Sequence, residues 1–267
     1  MQYFQPEYWP PADNFVEKLG RRLLLFLRDA GNALLITGEA FWCLKDVWWR
    51  RREVVRQLFN CGIRSFGVVT LVAMFNGMIL ALQAGLVLKM YNQEVQVGNL
   101  VSQTIVREMG PFMTALILAA SVGSAIAAQI GTMQVSDEIA ALHVMSVNPA
   151  SFLVMPRLVA FMVMAPVLTV YSNLVGVSGG MLVAYTQLGV TPRAYYDNAM
   201  MFLSNKELYV GLLKAWVFGI IIVGVASYQG LTTTNGAMGV GRATRATVVH
   251  SFLLILICGY IVTRIFY

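Results

Sequence analysis

The stretch "AAQIGTMQVSDEIAALHVMSVNP", Ala127–Pro149, separates two long hydrophobic runs and holds a helix too short to cross a bilayer. Ser136 is a favourable N-cap, and Asp137 and Glu138 complement the helix dipole in the first turn. Pro149 stops the helix, and Asn148 suits its end. The pattern predicts about three turns over Ser136–Val147. Ile139, Leu142 and Met145 form one apolar strip, while Ala140, Ala141 and Val144 make the opposite side small and apolar. Such a helix, apolar on both sides, suits a socket on another protein. A loop helix packed on the chain's own spans satisfies the same pattern.

The composition around this stretch defines the class. Of 267 residues, 58% are apolar and 12% charged, and the mean hydropathy is +0.67. A soluble domain carries about twice that share of charge. Several runs exceed the roughly 20 apolar residues that cross a bilayer. The chain reads as an all-α polytopic membrane protein.

The net charge is +6, and ten of the nineteen Lys and Arg precede residue 65. That asymmetry orients a membrane protein. It does not suggest nucleic acid, because no basic run is interleaved with stacking aromatics. Cys43, Cys61 and Cys258 are odd in number and far apart, with neither metal spacing nor a disulfide framework. The opening "MQYFQPEYWPPADNF" has no basic n-region and does not read as a cleavable signal peptide. His143 and His250 are too far apart to suggest a metal site and read as structural. "TTTNGAMGVGR", Thr232–Arg242, has glycines but no Lys-Ser/Thr, so it is not a P-loop. No cofactor is expected in this chain.

Residues 1–13 read as a Pro- and aromatic-rich arm. Over Phe15–Leu44, Phe15, Val16, Leu19, Leu23, Phe26 and Leu27 share one face, and Glu17, Lys18, Arg21, Arg22 and Arg28 the other. That pattern suits a helix lying in the membrane surface better than a first crossing. Trp42, Trp48 and Trp49 beside Arg50, Arg51 and Arg52 suit the headgroup level on the cytoplasmic side.

Spans are expected near residues 61–90, 100–128, 152–185, 208–231 and 247–266. The third stretch holds Pro156, Pro166, Gly176, Gly179 and Gly180, and reads as one long kinked helix or two short ones. Five spans are preferred because they keep Arg157, Arg242 and Arg245 on the basic side. The outer loops are then 91–99 and 188–206. Residues 1–55 form an arm and interfacial helix, and 56–267 a membrane-spanning domain.

Arg107 and Glu108 lie near the outer end of span two, and ionisable residues near membrane depth are functional candidates. If the apolar run begins at Met109, they are ordinary interfacial residues. Span one ends "LALQAGLVLKMYN", Leu80–Asn92, where Leu80, Val87 and Leu88 recur near helical spacing and Tyr91 follows. These residues and the polar Gln83 read either as a lining for a ligand or as a packing stripe. Small residues over Ala119–Ala128 let helices approach closely, as does the G-x-x-x-G of Gly176 and Gly180.

Three segments together carry a resemblance. "GSAIAAQIGTMQVSDEIAALHVMSVNP" (Gly123–Pro149), "GAMGVGRATRATVVHSF" (Gly236–Phe252) and "IVREMGPFMTALILA" (Ile105–Ala119) resemble the signatures of the MlaE/YrbE family of ABC-transporter permeases. The resemblance covers about residues 55–267. It implies a homodimer of five-span subunits in a bacterial inner membrane, or in a chloroplast inner envelope for plant relatives. It also implies a coupling helix offered to an ATPase subunit that binds ATP and Mg. A ring of MCE-domain proteins would dock on the other side, and a small STAS-type subunit could bind the ATPase.

On the same resemblance, Ser136, Asp137, Glu138, Ile139, Leu142, His143 and Met145 belong to the coupling helix. Leu80, Gln83, Val87, Leu88, Tyr91, Arg107, Glu108 and Met109 line a phospholipid cavity. Ser121, Gln129 and Asn148 depart from the family, many of whose members carry Arg, Glu and Asp there. An ion-coupled secondary transporter is the main rival, but the reading finds no acid deep in a span, as such a carrier usually needs. A non-transporting scaffold for an MCE ring would not need a coupling helix.

Overall fold

Five stretches among the described residues are long and apolar enough to cross a membrane: Arg51–Lys89, Glu94–Val135, Ala150–Leu188, Asn205–Leu231 and Gly236–Phe266. The computed structural model describes residues 15–48, 50–201 and 203–267, and the arm at 1–13 lies outside them. No strand occurs among the described residues. The chain is an all-α polytopic membrane protein.

Helix α1 is Phe15–Trp42, followed by a 3-10 turn at Cys43–Val47. Helix α2 is Arg51–Lys89. At 1.5 Å per residue it is about 60 Å long, twice the hydrocarbon thickness, so its basic first turns extend beyond the apolar layer. The second span is built in pieces: α3 (Val97–Thr104), α4 (Gly110–Leu118) and α5 (Ser124–Val135), joined by π turns at Ile105–Met109 and Ala119–Gly123. Then come α6 (Glu138–Val144), a π turn at Ala150–Val154, α7 (Met155–Leu188), α8 (Pro192–Met201), α9 (Asn205–Leu231) and α10 (Gly236–Phe266).

The third apolar stretch is one helix, α7, with Pro166 inside it. Proline removes one hydrogen bond and strains its turn by about 3 kcal/mol. Ending the helix there would expose several backbone groups to lipid at several kcal/mol each, so continuing is cheaper. α7 stops at Gly189, whose φ of +69° suits a residue without Cβ. The amide of Val190 then bonds back to the carbonyl of Ala184 at 3.1 Å.

The residues form two compact units. The first joins the described part of Met1–Gln57 to Ala119–Val159 and Ile220–Leu254. Here α1 buries Ala33, Ile36, Thr37 and Ala40 and leaves Leu34 and Leu35 exposed. A Cβ on Gly224 of α9 would meet the Thr37 hydroxyl, so the two helices approach closely. Tyr228 of α9 donates to Asp29 at 2.8 Å. The side chains of Phe15, Val16, Leu19, Leu23 and Phe26, and of Glu17, Lys18, Arg21 and Arg22, lie outside the described residues, as does Trp49.

The second unit joins Leu58–Leu118, Ala160–Gly219 and Ile255–Tyr267. A Cβ on Gly77 would overlap the carbonyl oxygen of Gly176. That places α2 against α7 with backbone in contact, as small residues permit. Gly77→Val should destabilise the protein by about 1–3 kcal/mol, because backbone cannot move aside as a side chain can. Thermal unfolding in detergent would read this as a lowered midpoint, with Gly67→Val, which meets open space, as the unaffected control.

The stretch 188–206, read from sequence as an outer loop, contains α8, packed on α3. The Ser102 hydroxyl donates to Ala199 O at 3.2 Å, and the Tyr195 hydroxyl donates to Val177 O at 3.2 Å. Tyr195 is fully buried, and that burial pushes its phenol well above the ordinary range. The helix escaped the sequence reading because "PRAYYDNAMM" is polar overall and its anchor is a single aromatic side chain.

Candidate functional site

Within the second unit, a charged cluster forms around the π turn Ile105–Met109. The sequence places Arg107 and Glu108 side by side, yet each pairs with α9 instead. Arg107 donates to Glu207 at 2.5 Å. Lys214 donates to Glu108 at 2.6 Å. Adjacent helical residues diverge around the axis, so neighbours in sequence reach different partners. Lys214 also donates to the carbonyl of Arg107 at 3.0 Å. Pro111 explains that bond: it has no N–H with which to satisfy Arg107 O in the α-helical pattern.

The pairs differ in exposure. The Lys214 side chain is 1% exposed and that of Glu108 is 40% exposed. Glu108 also accepts from Thr263 of α10 at 2.9 Å. It borders a cavity of about 300 Å³, with Phe112, Phe218, Tyr260 and Thr263 in its lining. The Arg107 guanidinium lies 4.1 Å from the ring centroid of Tyr267, and Lys206 lies 4.9 Å from it. Met109 is half-buried at the end of the π turn.

Glu207, Lys214, Thr263 and Tyr267 were missed from sequence. Lys214 had a visible signal, a lone cation inside the apolar run of α9. Glu207 had none, because its partner is 100 residues away. Glu108, expected near the outer end of span two, lies inside the long apolar stretch Glu94–Val135 and is paired to a lysine.

The proposed lining on α2 divides. Leu80 and Leu88 are half-buried against the cluster of Val97, Val101, Ile105 and Tyr195. Gln83 and Val87 are exposed on one face of α2, and Tyr91 is exposed in the turn that follows the helix.

Within the first unit, the short helix is shorter than its sequence pattern suggests. α6 covers seven residues, Glu138–Val144. Ser136 is not its N-cap: its hydroxyl donates back to Thr132 O at 2.9 Å and to Glu138 at 3.2 Å. Asp137 occupies the cap position at φ +59°, without a side-chain capping bond. The helix ends at Ser146, also left-handed at φ +57°. There Val147 N bonds Leu142 O at 2.9 Å and Ser146 N bonds His143 O at 3.0 Å, the Schellman pattern.

Asn148 does not end α6. It starts the next element, accepting from the Ala150 amide at 2.9 Å. Ser146→Gly should stabilise this corner by up to about 1 kcal/mol, since glycine occupies the left-handed region without penalty. Amide hydrogen exchange over residues 139–147 would slow.

The faces of α6 follow. Ile139 and Leu142 are buried. Ala140, Ala141 and His143 are exposed, Val144 is 87% exposed and Met145 63% exposed. Met145 therefore does not continue the buried strip of Ile139 and Leu142. The helix stands on two buried side chains and presents an apolar outer face.

The MlaE permease family matches residues 54–265 of this chain. A probable ABC transporter permease protein of Rickettsia conorii is 34% identical over 254 residues, 95% of this chain and 98% of the relative. The intermembrane phospholipid transport system permease protein MlaE of Haemophilus influenzae is 30% identical over 95% of this chain and 98% of its own length. The chloroplastic trigalactosyldiacylglycerol 1 protein of Arabidopsis thaliana is 32% identical over 81% of this chain and 62% of its own length.

Proposed function

Because this chain belongs to the MlaE permease family, we propose that it is the membrane subunit of an ATP-driven lipid transporter, moving phospholipid between an inner membrane and an MCE-protein carrier. The observation that carries this reading is α6, a helix held by two buried side chains with Val144 and Met145 bare. An apolar face of that kind is suited to a partner's socket, and the fitting partner is the ATPase subunit. ATP and Mg would bind there. A rigid, anchored helix can transmit a closing motion that a flexible loop would absorb.

The lipid reading rests on the second unit. The exposed row of Gln83, Val87 and Tyr91 supplies a surface for acyl chains. The Glu108–Lys214 and Arg107–Glu207 pairs supply charges matched to a zwitterionic headgroup. The assembly proposed is a homodimer in a bacterial inner membrane, or a chloroplast inner envelope, with an MCE ring opposite the ATPase and a STAS-type subunit on it.

Photo-crosslinkers at Val87 and Tyr91 should label phospholipid in the purified complex, and an ABC ATPase should co-purify. Labelling no stronger than at the exposed control Leu174 would remove the cavity reading. A second reading, ion-coupled transport, draws on Glu108 within a span. It requires transport that persists without ATP hydrolysis and stops when the ion gradient collapses.

A further inference from the structure

A cavity of about 510 Å³ in the first unit is lined by Arg50, Arg52, Arg56 and Arg157, with Glu53 as the acid in its lining. It shares no lining residue with the Glu108 cavity. We propose that this basic cavity binds the phosphate of an anionic phospholipid headgroup, at a site distinct from the one that holds transported lipid.

Arg157 is the central observation. It is only 6% exposed, yet its guanidinium donates to neutral acceptors: Leu153 O at 3.0 Å and Gln129 Oε1 at 3.3 Å. Its Nε finds no acceptor among the described residues. A buried cation served by neutral groups is a costly arrangement that an anion relieves. Glu53 is the acid whose charge acts on Arg157, but it is shared: it accepts from Gln57 at 2.8 Å and lies 3.9 Å from Arg56, so it offsets the burial of Arg157 only in part. Arg50 is held over the ring of Phe152, 4.7 Å from its centroid. Guanidinium groups held in this way are preorganised for phosphate oxygens.

Free phosphate would have the same headgroup chemistry. The surroundings favour a lipid. Met133 and Pro156 give the cavity apolar walls, and Phe152 is partly exposed at its edge. Val55 and Trp48 are exposed nearby in sequence, and tryptophan beside arginine suits the headgroup level. A basic cluster at that level faces the anionic leaflet.

The test uses the purified permease complex, native mass spectrometry, and phosphatidylglycerol against phosphatidylcholine, with inorganic phosphate as a third probe. Wild type should retain phosphatidylglycerol about tenfold over phosphatidylcholine. Gln129→Glu, nearly isosteric, would supply Arg157 with a carboxylate and should abolish the preference. The exposed double substitution Arg52→Gln with Arg56→Gln should do the same. A photo-crosslinker at Phe152 should label phosphatidylglycerol selectively, whereas one at Val87 should not discriminate. An unchanged preference in both variants overturns the proposal, and so does equal retention of the two lipids. Displacement of the lipid by inorganic phosphate would assign the cavity to free phosphate and overturn the lipid source.

Discussion

Replacing Ala141 with proline should abolish transport while leaving an inserted, assembled permease. Ala141 sits mid-way along α6, and its amide donates to Asp137 O at 3.0 Å. Proline removes that bond and clashes with the preceding turn, at about 3 kcal/mol. A seven-residue helix has too few remaining bonds to absorb the loss. Ile139 and Leu142 then no longer hold Val144 and Met145 outward. The spans do not depend on this helix for their own backbone bonds. The measurement is phospholipid transfer in proteoliposomes, with co-purification of the ATPase as a second readout. Normal transfer would sink the coupling role. Loss of transfer with undiminished ATPase binding would locate the defect in transmission rather than docking.

The second large effect concerns the Glu108–Lys214 pair, and it is asymmetric. Glu108→Gln should destabilise the protein by about 3 kcal/mol, because it leaves a buried ammonium without its counter-charge. Lys214 is 1% exposed, and what remains to it are neutral carbonyls, that of Arg107 and that of the new glutamine. Lys214→Met should cost less, since Glu108 is 40% exposed and keeps Thr263 as a donor. The double substitution Glu108→Gln with Lys214→Met should recover most of the loss, since a buried pair exchanged for neutral groups is often close to neutral overall. A double-mutant cycle of thermal unfolding in detergent measures the coupling. Equal effects of the two single substitutions would show that burial does not set the balance.

The sequence by itself determined the features that follow from local chemistry. Apolar runs beyond bilayer length set the five spans, because backbone in lipid must bond internally. The short helix in Ala127–Pro149 was legible because Pro149 and the polar Ser136–Glu138 bracket an apolar run. The close crossings were legible in type, since glycines such as Gly77 and Gly176 mark where backbones can meet.

Tertiary structure alone decided the pairings. Arg107 and Glu108 look like partners in sequence, but the helix geometry turns them toward Glu207 and Lys214, about a hundred residues away. Leu80 and Val87 look equivalent by type, and only packing half-buries one against the Val101 cluster while exposing the other. The cap of α6 moved from Ser136 to Asp137 because Ser136 bonds backward to α5. α8 exists as a packed element because Tyr195 finds an interior and an acceptor at Val177 O. Each of these outcomes depends on which surfaces meet across long sequence separations, and the local pattern that forms a helix is silent about its neighbours.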